Sequence, residues 1–239
     1  SRITKKSFQR WSIIKKFSHS TFSLVDKAYS QNTETNYFLK KLKVKKITSI
    51  GNLKFIEHDS FETNQADKKL FSQFRKYKTF VAASTHNTEE LFAAKTHILL
   101  KKKIKNIITI IIPRHINRVD QIISQLNELG LNAISRRSNK KKLDNIDIYL
   151  VDTFGESKKF YKFATTVFLG GSIINRGGQN PLEPARFGAK ILHGPNIDNF
   201  RDVYKYLNQL KISSSINSPQ QCASSVSYTH LTLPTTRLV

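Results

Sequence analysis

At 239 residues the chain is long enough to bury a real core as one large domain or two small ones, and its composition is not that of a disordered segment. Forty Lys and Arg against seventeen Asp and Glu give a formal charge of +23, which attracts the phosphates of nucleic acid, nucleotide or lipid without saying which; an AT-rich coding bias toward Lys, Ile and Asn accounts for part of it. The single cysteine, Cys222, excludes an intramolecular disulfide and argues against zinc, no apolar run approaches the roughly 18 residues of a spanning helix, and the absence of methionine marks the chain as a fragment whose start codon lies elsewhere.

Residues 1–46 are the most basic part. Phe8, Trp11, Ile14 and Phe17 recur at helical spacing among Lys5, Lys6, Arg10, Lys15 and Lys16, an amphipathic helix that either packs with a solvated basic side or lies on an anionic membrane. A strand is expected over 22–28, a helix from Ser30 through Leu39 and Leu42, and over 47–55 a strand interrupted by Gly51-Asn52. The character changes near residue 56, where a domain boundary is placed, and strand and helix signals then alternate. A strand over 79–83 ends in Ser84-Thr85-His86 and leads to a helix over 88–100. The apolar, β-branched run 107–112 is the mark of a central parallel strand buried on both faces. It stops at Pro113-Arg114-His115, before a helix that carries Val119, Ile122, Ile123, Leu126 and Leu129 on one side and ends at Gly130. With further strands at 132–135, 146–151, 167–169 and 190–193, the alternation predicts a doubly wound parallel sheet.

In such a sheet a ligand lies outside the carboxyl ends of the strands. Those ends read Ser84-Thr85-His86, Pro113-Arg114-His115, Asp152-Thr153-Phe154-Gly155-Glu156, Gly170-Gly171-Ser172 and His193-Gly194-Pro195, so the polar, glycine-rich punctuation falls on one edge. The longest such stretch, 170–185, carries four glycines and then a helix start with Asn180 as N-cap, Pro181 at the first helical position and Glu183 in the first turn. Spacing alone leaves Glu183 either a carboxylate that favours the helix dipole or a ligand contact. Arg114 is a permanently charged fork suited to phosphate or carboxylate. Thr153 and Glu156 fit a capping box that also offers the Gly155 and Glu156 N–H groups to a nucleotide. His86 and His115 are possible acid–base groups, or donors to neighbouring carbonyls. There is no GxGxxG, P-loop, HExxH, CxxC or GxSxG pattern.

Taken in order, Gly51-Asn52-Leu53-Lys54-Phe55, Ala82-Ala83-Ser84-Thr85-His86 with Glu89-Glu90, Ile112-Pro113-Arg114-His115, Asp152-Thr153-Phe154-Gly155-Glu156, and Gly170-Gly171-Ser172 through Asn180-Pro181-Leu182-Glu183-Pro184-Ala185 resemble the 3-deoxy-D-manno-octulosonic acid (Kdo) transferases over about residues 1–212. The resemblance implies an α/β fold of GT-B type. Residues 1–55 would close the N-terminal, acceptor-side domain, and 56–212 would form the Rossmann-like domain that binds a CMP-sugar. It implies transfer of Kdo from CMP-Kdo to the lipid A precursor with inversion, with no metal or cofactor and no nucleic-acid partner, on the cytoplasmic face of the bacterial inner membrane. By motif, Pro113, Arg114, Phe154, Gly155, Glu156, Asn180, Pro181, Leu182 and Glu183 would contact CMP, with Glu183 on the ribose. Lys54 would stabilise charge on the departing phosphate. The family's catalytic base, a glutamate, belongs to the N-terminal domain, most of which is absent from this sequence. Phe154 stands where methionine is common and Gln179 where histidine is common. The alternatives are another GT-B enzyme, such as a UDP-sugar transferase or nucleotide-sugar epimerase, and a basic nucleic-acid-binding module. Residues 213–239 read as a truncated end and a non-native tail, because 226–235 resemble the translated adapter of a sequencing library.

Overall fold

The computed structural model describes residues 3–50, 65–138 and 142–232. The chain divides into two compact units, Ser1–Ser60 and Phe61–Val239, with the division inside the undescribed stretch 51–64.

In the first unit the single basic helix is two helices, α1 (Lys5–Ile13) and α2 (Lys15–Ser23), broken at Ile14, where ψ turns to +54°. Thr4 caps α1 by accepting the Ser7 N–H at 3.2 Å. Phe8 stacks on Phe38 at 4.4 Å and Trp11 meets Phe22 edge-on at 5.2 Å, whereas Phe17, beyond the break, is 61% exposed. Across the turn at Ile14 the Phe17 ring still stacks on Trp11 at 6.5 Å, but on the outside of the unit. Residues Phe22 and Ser23 belong to α2, so the expected strand begins only at Lys27. That strand, β1 (Lys27–Ser30), pairs in parallel with β2 (Lys46–Ser49), and α3 (Thr33–Lys41) connects them. Asn32 caps α3 by accepting the Thr35 N–H at 2.8 Å, and Ala28, Leu39 and Val44 form the small core.

The second unit is a parallel sheet of seven strands in the order β5-β6-β4-β3-β7-β8-β9. Its strands are β3 (Lys78–Thr85), β4 (Ile107–Pro113), β5 (Ala133–Ser135), β6 (Ile148–Leu150), β7 (Thr166–Leu169), β8 (Lys190–His193) and β9 (Ser213–Ser215). Every residue of β4 is buried, as its unbroken apolar run requires of a central strand. Its side chains alternate between two cores. Ile108, Ile110 and Ile112 join Phe74 from α4 (Gln65–Phe74), Phe160 from α7 (Ser157–Tyr161) and Tyr204 from α9 (Arg201–Gln209). Ile107 and Ile111 join Leu100 from α5 (Glu89–Lys101), Ile122 from α6 (Val119–Glu128) and Val226 from α10 (Pro219–Thr232). The sheet is thus covered on both faces, and each fully buried Ile or Phe contributes roughly 1.5–3 kcal/mol through water removed from its surface. The polar stretch after Lys211 is β9, paired with β8, followed by α10, whose Cys222, Ala223 and Val226 are buried among the α5-side residues.

Polar groups also lie inside this core. His97 on α5 is fully buried, with Nδ1 2.9 Å from Thr109 Oγ1 and Nε2 3.4 Å from Asp147. The Asp147 carboxylate also accepts from Lys101 Nζ (2.6 Å) and the Asn132 N–H (3.0 Å). Burial holds the His97 imidazole below its ordinary range despite Asp147, and burial likewise lowers His193, which lies 4.4 Å from the Tyr204 ring. The unfolded chain takes up protons on these rings near pH 6.5 while the folded chain resists. The stability from keeping them neutral is therefore full above about pH 6.5 and lost as the pH falls below it. Urea unfolding should give a lower free energy at about pH 5.5 than at about pH 7.5, with a smaller difference in His97→Gln; equal midpoints at the two pH values would contradict this.

Candidate functional site

The strand order reverses between β3 and β7: the chain leads from β3 to β4 on one side and from β7 to β8 and β9 on the other. This is the position at which an open parallel sheet leaves a crevice at its carboxyl edge. The loops after β6, β4, β3, β7 and β8 stand there in that spatial order.

The crevice is shaped by one carboxylate. Glu89, in the first turn of α5, is fully buried and accepts four main-chain N–H groups: His86 (3.0 Å) and Gly171 (2.7 Å) on Oε2, Ser172 (3.2 Å) and Ile173 (3.0 Å) on Oε1. It joins the β3 end to the glycine-rich loop after β7, across the switch point. A Cβ on Gly170 would lie 2.5 Å from the Ser84 carbonyl oxygen, so glycine is what lets the two loops touch. From the β8 side, the Gly194 N–H donates to Ser172 Oγ (2.8 Å), the Asn196 amide donates to the Ser172 and Ile173 carbonyls (3.2 and 3.1 Å), and the Asn199 amide donates to Arg176 O (2.9 Å). The β3 end is strained: Ser84 and Thr88 have φ of +55° and +79°, a region unfavourable to L residues and most of all to a β-branched one. Thr88 precedes α5 without a side-chain capping bond.

Cationic side chains face this frame. Pro113 is buried at the end of β4, and Arg114, whose N–H donates to Thr85 O at 2.8 Å, projects into solvent beside His115. The His115 ring lies 5.6 Å from that of His86. Burial depresses the His86 imidazole, and nearby His115, Arg176 and Arg114 depress it further, against the pull of Glu89. His86 Nε2 is buried and has no hydrogen-bond partner among the described residues.

The loop after β6 departs from the expected capping box. α7 begins at Ser157, and the Thr153 hydroxyl donates to the Glu156 carboxylate instead of capping a main-chain N–H. Glu156 also takes Arg136 Nε (2.5 Å) and Nη2 (2.9 Å) and Lys159 Nζ (2.9 Å). Arg136 and Lys159 in turn hold the buried Asp67 of α4, the latter at 2.8 Å. These cations and hydrogen bonds outweigh desolvation and hold the Glu156 carboxyl down to about 2. The carboxylate is occupied by the protein, so what this turn presents to a ligand is the 79% exposed Phe154 ring and the main chain of Gly155, at φ +74°.

Asn180 Oδ1 accepts the Leu182 N–H at 3.2 Å, but α8 (Leu182–Arg186) begins one residue later than expected, with Pro181 rather than Asn180 in the cap position. Leu182 is buried, and Glu183 is half-buried close enough to Tyr161 to raise that hydroxyl further, after burial itself. Lys54 lies outside the described residues. The structure therefore gathers Arg114, Phe154, Gly155 and the 180–183 turn along one sheet edge. Sequence reasoning missed the roles of Asp67, Arg136, Arg176 and Asn196. Only Arg136 carried a local signal, as a charged residue just past a strand end. Among the described residues no cluster of three or more His, Cys, Asp or Glu could hold a metal ion.

No family model matches the chain. In sequence it is similar to the 3-deoxy-D-manno-octulosonic acid transferase of Rickettsia bellii (strain RML369-C), 30% identical over 232 residues that cover 95% of this chain and 54% of that protein. It is also similar to the enzyme of the same name from Haemophilus influenzae, at 26% identity over 91% of this chain and 52% of the other. A bifunctional glycosyltransferase/methyltransferase of Fusobacterium nucleatum is 29% identical over 92% of this chain and 35% of the other. The chain thus spans about half the length of the curated relatives it matches. Among solved structures, the C-terminal CMP-Kdo binding domain of WaaA from Acinetobacter baumannii superposes with a TM-score of 0.62 at 23% identity, covering 70% of this chain and 88% of that one. The likeness is one of fold, a parallel α/β sheet covered by helices on both faces.

Two substitutions test the frame. Arg136→Gln removes the guanidinium that Asp67 and Glu156 share and should cost on the order of 3 kcal/mol in urea unfolding near neutral pH. The stability that Glu156 supplies is present above its unfolded value of about 4.5 and is lost on the way down to about 2, so the penalty should shrink in acid. Thr88→Gly should relieve left-handed strain of about 1–2 kcal/mol against a smaller entropic cost, raising Tm by roughly 2–4 °C; a lower Tm would show that Thr88 makes a compensating contact.

Proposed function

We propose that this chain, as a member of the 3-deoxy-D-manno-octulosonic acid (Kdo) transferase family, is the donor-binding part of an enzyme that moves Kdo from CMP-Kdo to the lipid A precursor. The observation that carries the reading is that Arg114, the Phe154–Gly155 turn and the 180–183 turn follow β4, β6 and β7, at the carboxyl edge of the sheet that holds the β3/β7 switch point. It occurs in a chain that matches these transferases along almost its whole length. Arg114 holds the phosphate, the Gly155 main chain and the Phe154 ring receive the nucleoside, and Glu183 accepts the ribose hydroxyls. As the glycosidic bond to phosphate breaks, negative charge grows on the departing CMP. A cation fixed there beforehand lowers the barrier, which is the role we assign to Arg114.

The reading calls for no cofactor. On this reading the chain supplies the donor side of the reaction, over about half the length of the relatives it matches. The proposed lipid acceptor and the basic residues 1–46 support a reading in which the work is done at the cytoplasmic face of the inner membrane; among the described residues no helix is long and apolar enough to cross a membrane. Isothermal titration should show CMP binding that UDP competes with poorly, and Arg114→Ala or Glu183→Ala should weaken it by about tenfold or more, the value of one charge-assisted contact. Equal binding by wild type and both variants would count decisively against this site.

A further inference from the structure

Arg114 is not the only uncommitted cation at the crevice. Arg176 comes from the other side of the switch point, on the glycine-rich loop after β7, and is exposed. Its main chain is pinned on both sides: its N–H donates to Ile174 O (2.8 Å) and its carbonyl accepts from the Asn199 amide (2.9 Å). The next residue, Gly177, accepts the Asn199 N–H at 2.9 Å, and Gly178 donates to Gly171 O at 2.9 Å. A Cβ built on Gly171 would lie 3.4 Å from Arg176 Cβ and 3.5 Å from the His86 ring, so Arg176 and His86 flank the same glycine. Among the described residues neither the Arg114 nor the Arg176 guanidinium has a carboxylate or hydrogen-bond partner. The nearby Glu89 carboxylate is fully used by four N–H groups.

Two permanently charged forks therefore face one crevice, and neither is paired with a carboxylate among the described residues. They come from the loops after β4 and β7, which flank the end of β3, and both lie near enough to His86 to lower its imidazole. A phosphodiester carries a single negative charge and suits one fork. Two forks that converge from separate strands suit a ligand with two anionic groups on neighbouring atoms. A sugar acid of the 2-keto class, activated as its nucleotide ester, has that form: its carboxylate and its phosphate oxygen are attached to the same anomeric carbon. We propose that Arg176 is a second anion contact of the donor site, taking the carboxylate of the activated 2-keto sugar acid while Arg114 takes the phosphate. The buried, unpartnered His86 Nε2 lies between them as a hydrogen-bonding group for the same ligand. The inference rests on the donor reading above and adds the part of the donor that the nucleotide contacts do not recognise.

The test compares CMP, which lacks the carboxylate, with CMP-Kdo, which has it, by calorimetric titration of the full chain. Arg176→Gln should lower CMP-Kdo affinity about tenfold or more and change CMP affinity less than about threefold, whereas Arg114→Gln should weaken both. Arg176→Lys, which keeps the charge and loses the fork, should fall between wild type and Arg176→Gln. Thermal unfolding of each variant checks that the exposed substitutions leave the fold intact. Loss of both ligands in parallel in a folded Arg176→Gln, or no loss for CMP-Kdo, would overturn the carboxylate assignment while leaving the donor reading standing. A wild-type chain that binds neither ligand would overturn both.

Discussion

The crevice depends on a buried carboxylate that never meets a ligand. Glu89 supplies the two oxygens on which four main-chain N–H groups close, and those groups belong to the two loops that a strand reversal brings side by side. A buried carboxylate without such bonds would be costly, and a glycine-rich loop without such an acceptor would have many shapes. Each solves the other's problem. The left-handed Ser84 and Thr88 are the strain that this closure imposes on the β3 side, and the bare Cα of Gly170 is the space it requires.

That frame separates charges that build the protein from charges that face outward. Glu156, Arg136, Asp67 and Lys159 sit at the same sheet edge as Arg114, yet they neutralise one another and fix the turn that presents Phe154 and Gly155. Arg114 and Arg176 have no such partners among the described residues. Proximity to a site thus says little about a charged residue's role until its hydrogen bonds are counted: Glu156 belongs to a binding motif by sequence and to an internal ion network by geometry.

Much of the sheet was legible because its strands are apolar and β-branched, and their polar ends announce themselves. Ile107 to Pro113 could hardly be anything but a central strand, and the terminations at His86, Arg114, Phe154 and Gly170 fell on one edge once parallel topology was assumed. What escaped was whatever depends on partners distant in sequence. Ser213 to Ser215 has no strand propensity of its own and is held by its register against Ile191 to His193. The helix after it is polar in composition, and only its packing on α5 shows that Cys222 and Val226 face inward. Thr153 and Glu156 have capping-box spacing, but Arg136, twenty residues upstream, competes for the same carboxylate and wins. The break at Ile14 is a main-chain event that side-chain periodicity does not register. Arg176 looks like any loop cation until Gly171 places it beside His86.

The sheet order also dictates when its middle strand is safe. β3 finds β4 within some thirty residues, but its other edge waits for β7, whose first residue is Thr166. Until that much chain has been synthesised, Phe80 to Ala83 present an unpaired apolar edge, and the crevice cannot exist because one of its walls has not been made. Arrangement of the loops around Glu89 spans more than eighty residues of sequence, so it belongs to the late steps of folding. The crevice is accordingly a property of the completed fold, and a ligand bound there would report that folding has finished as much as that a site is present.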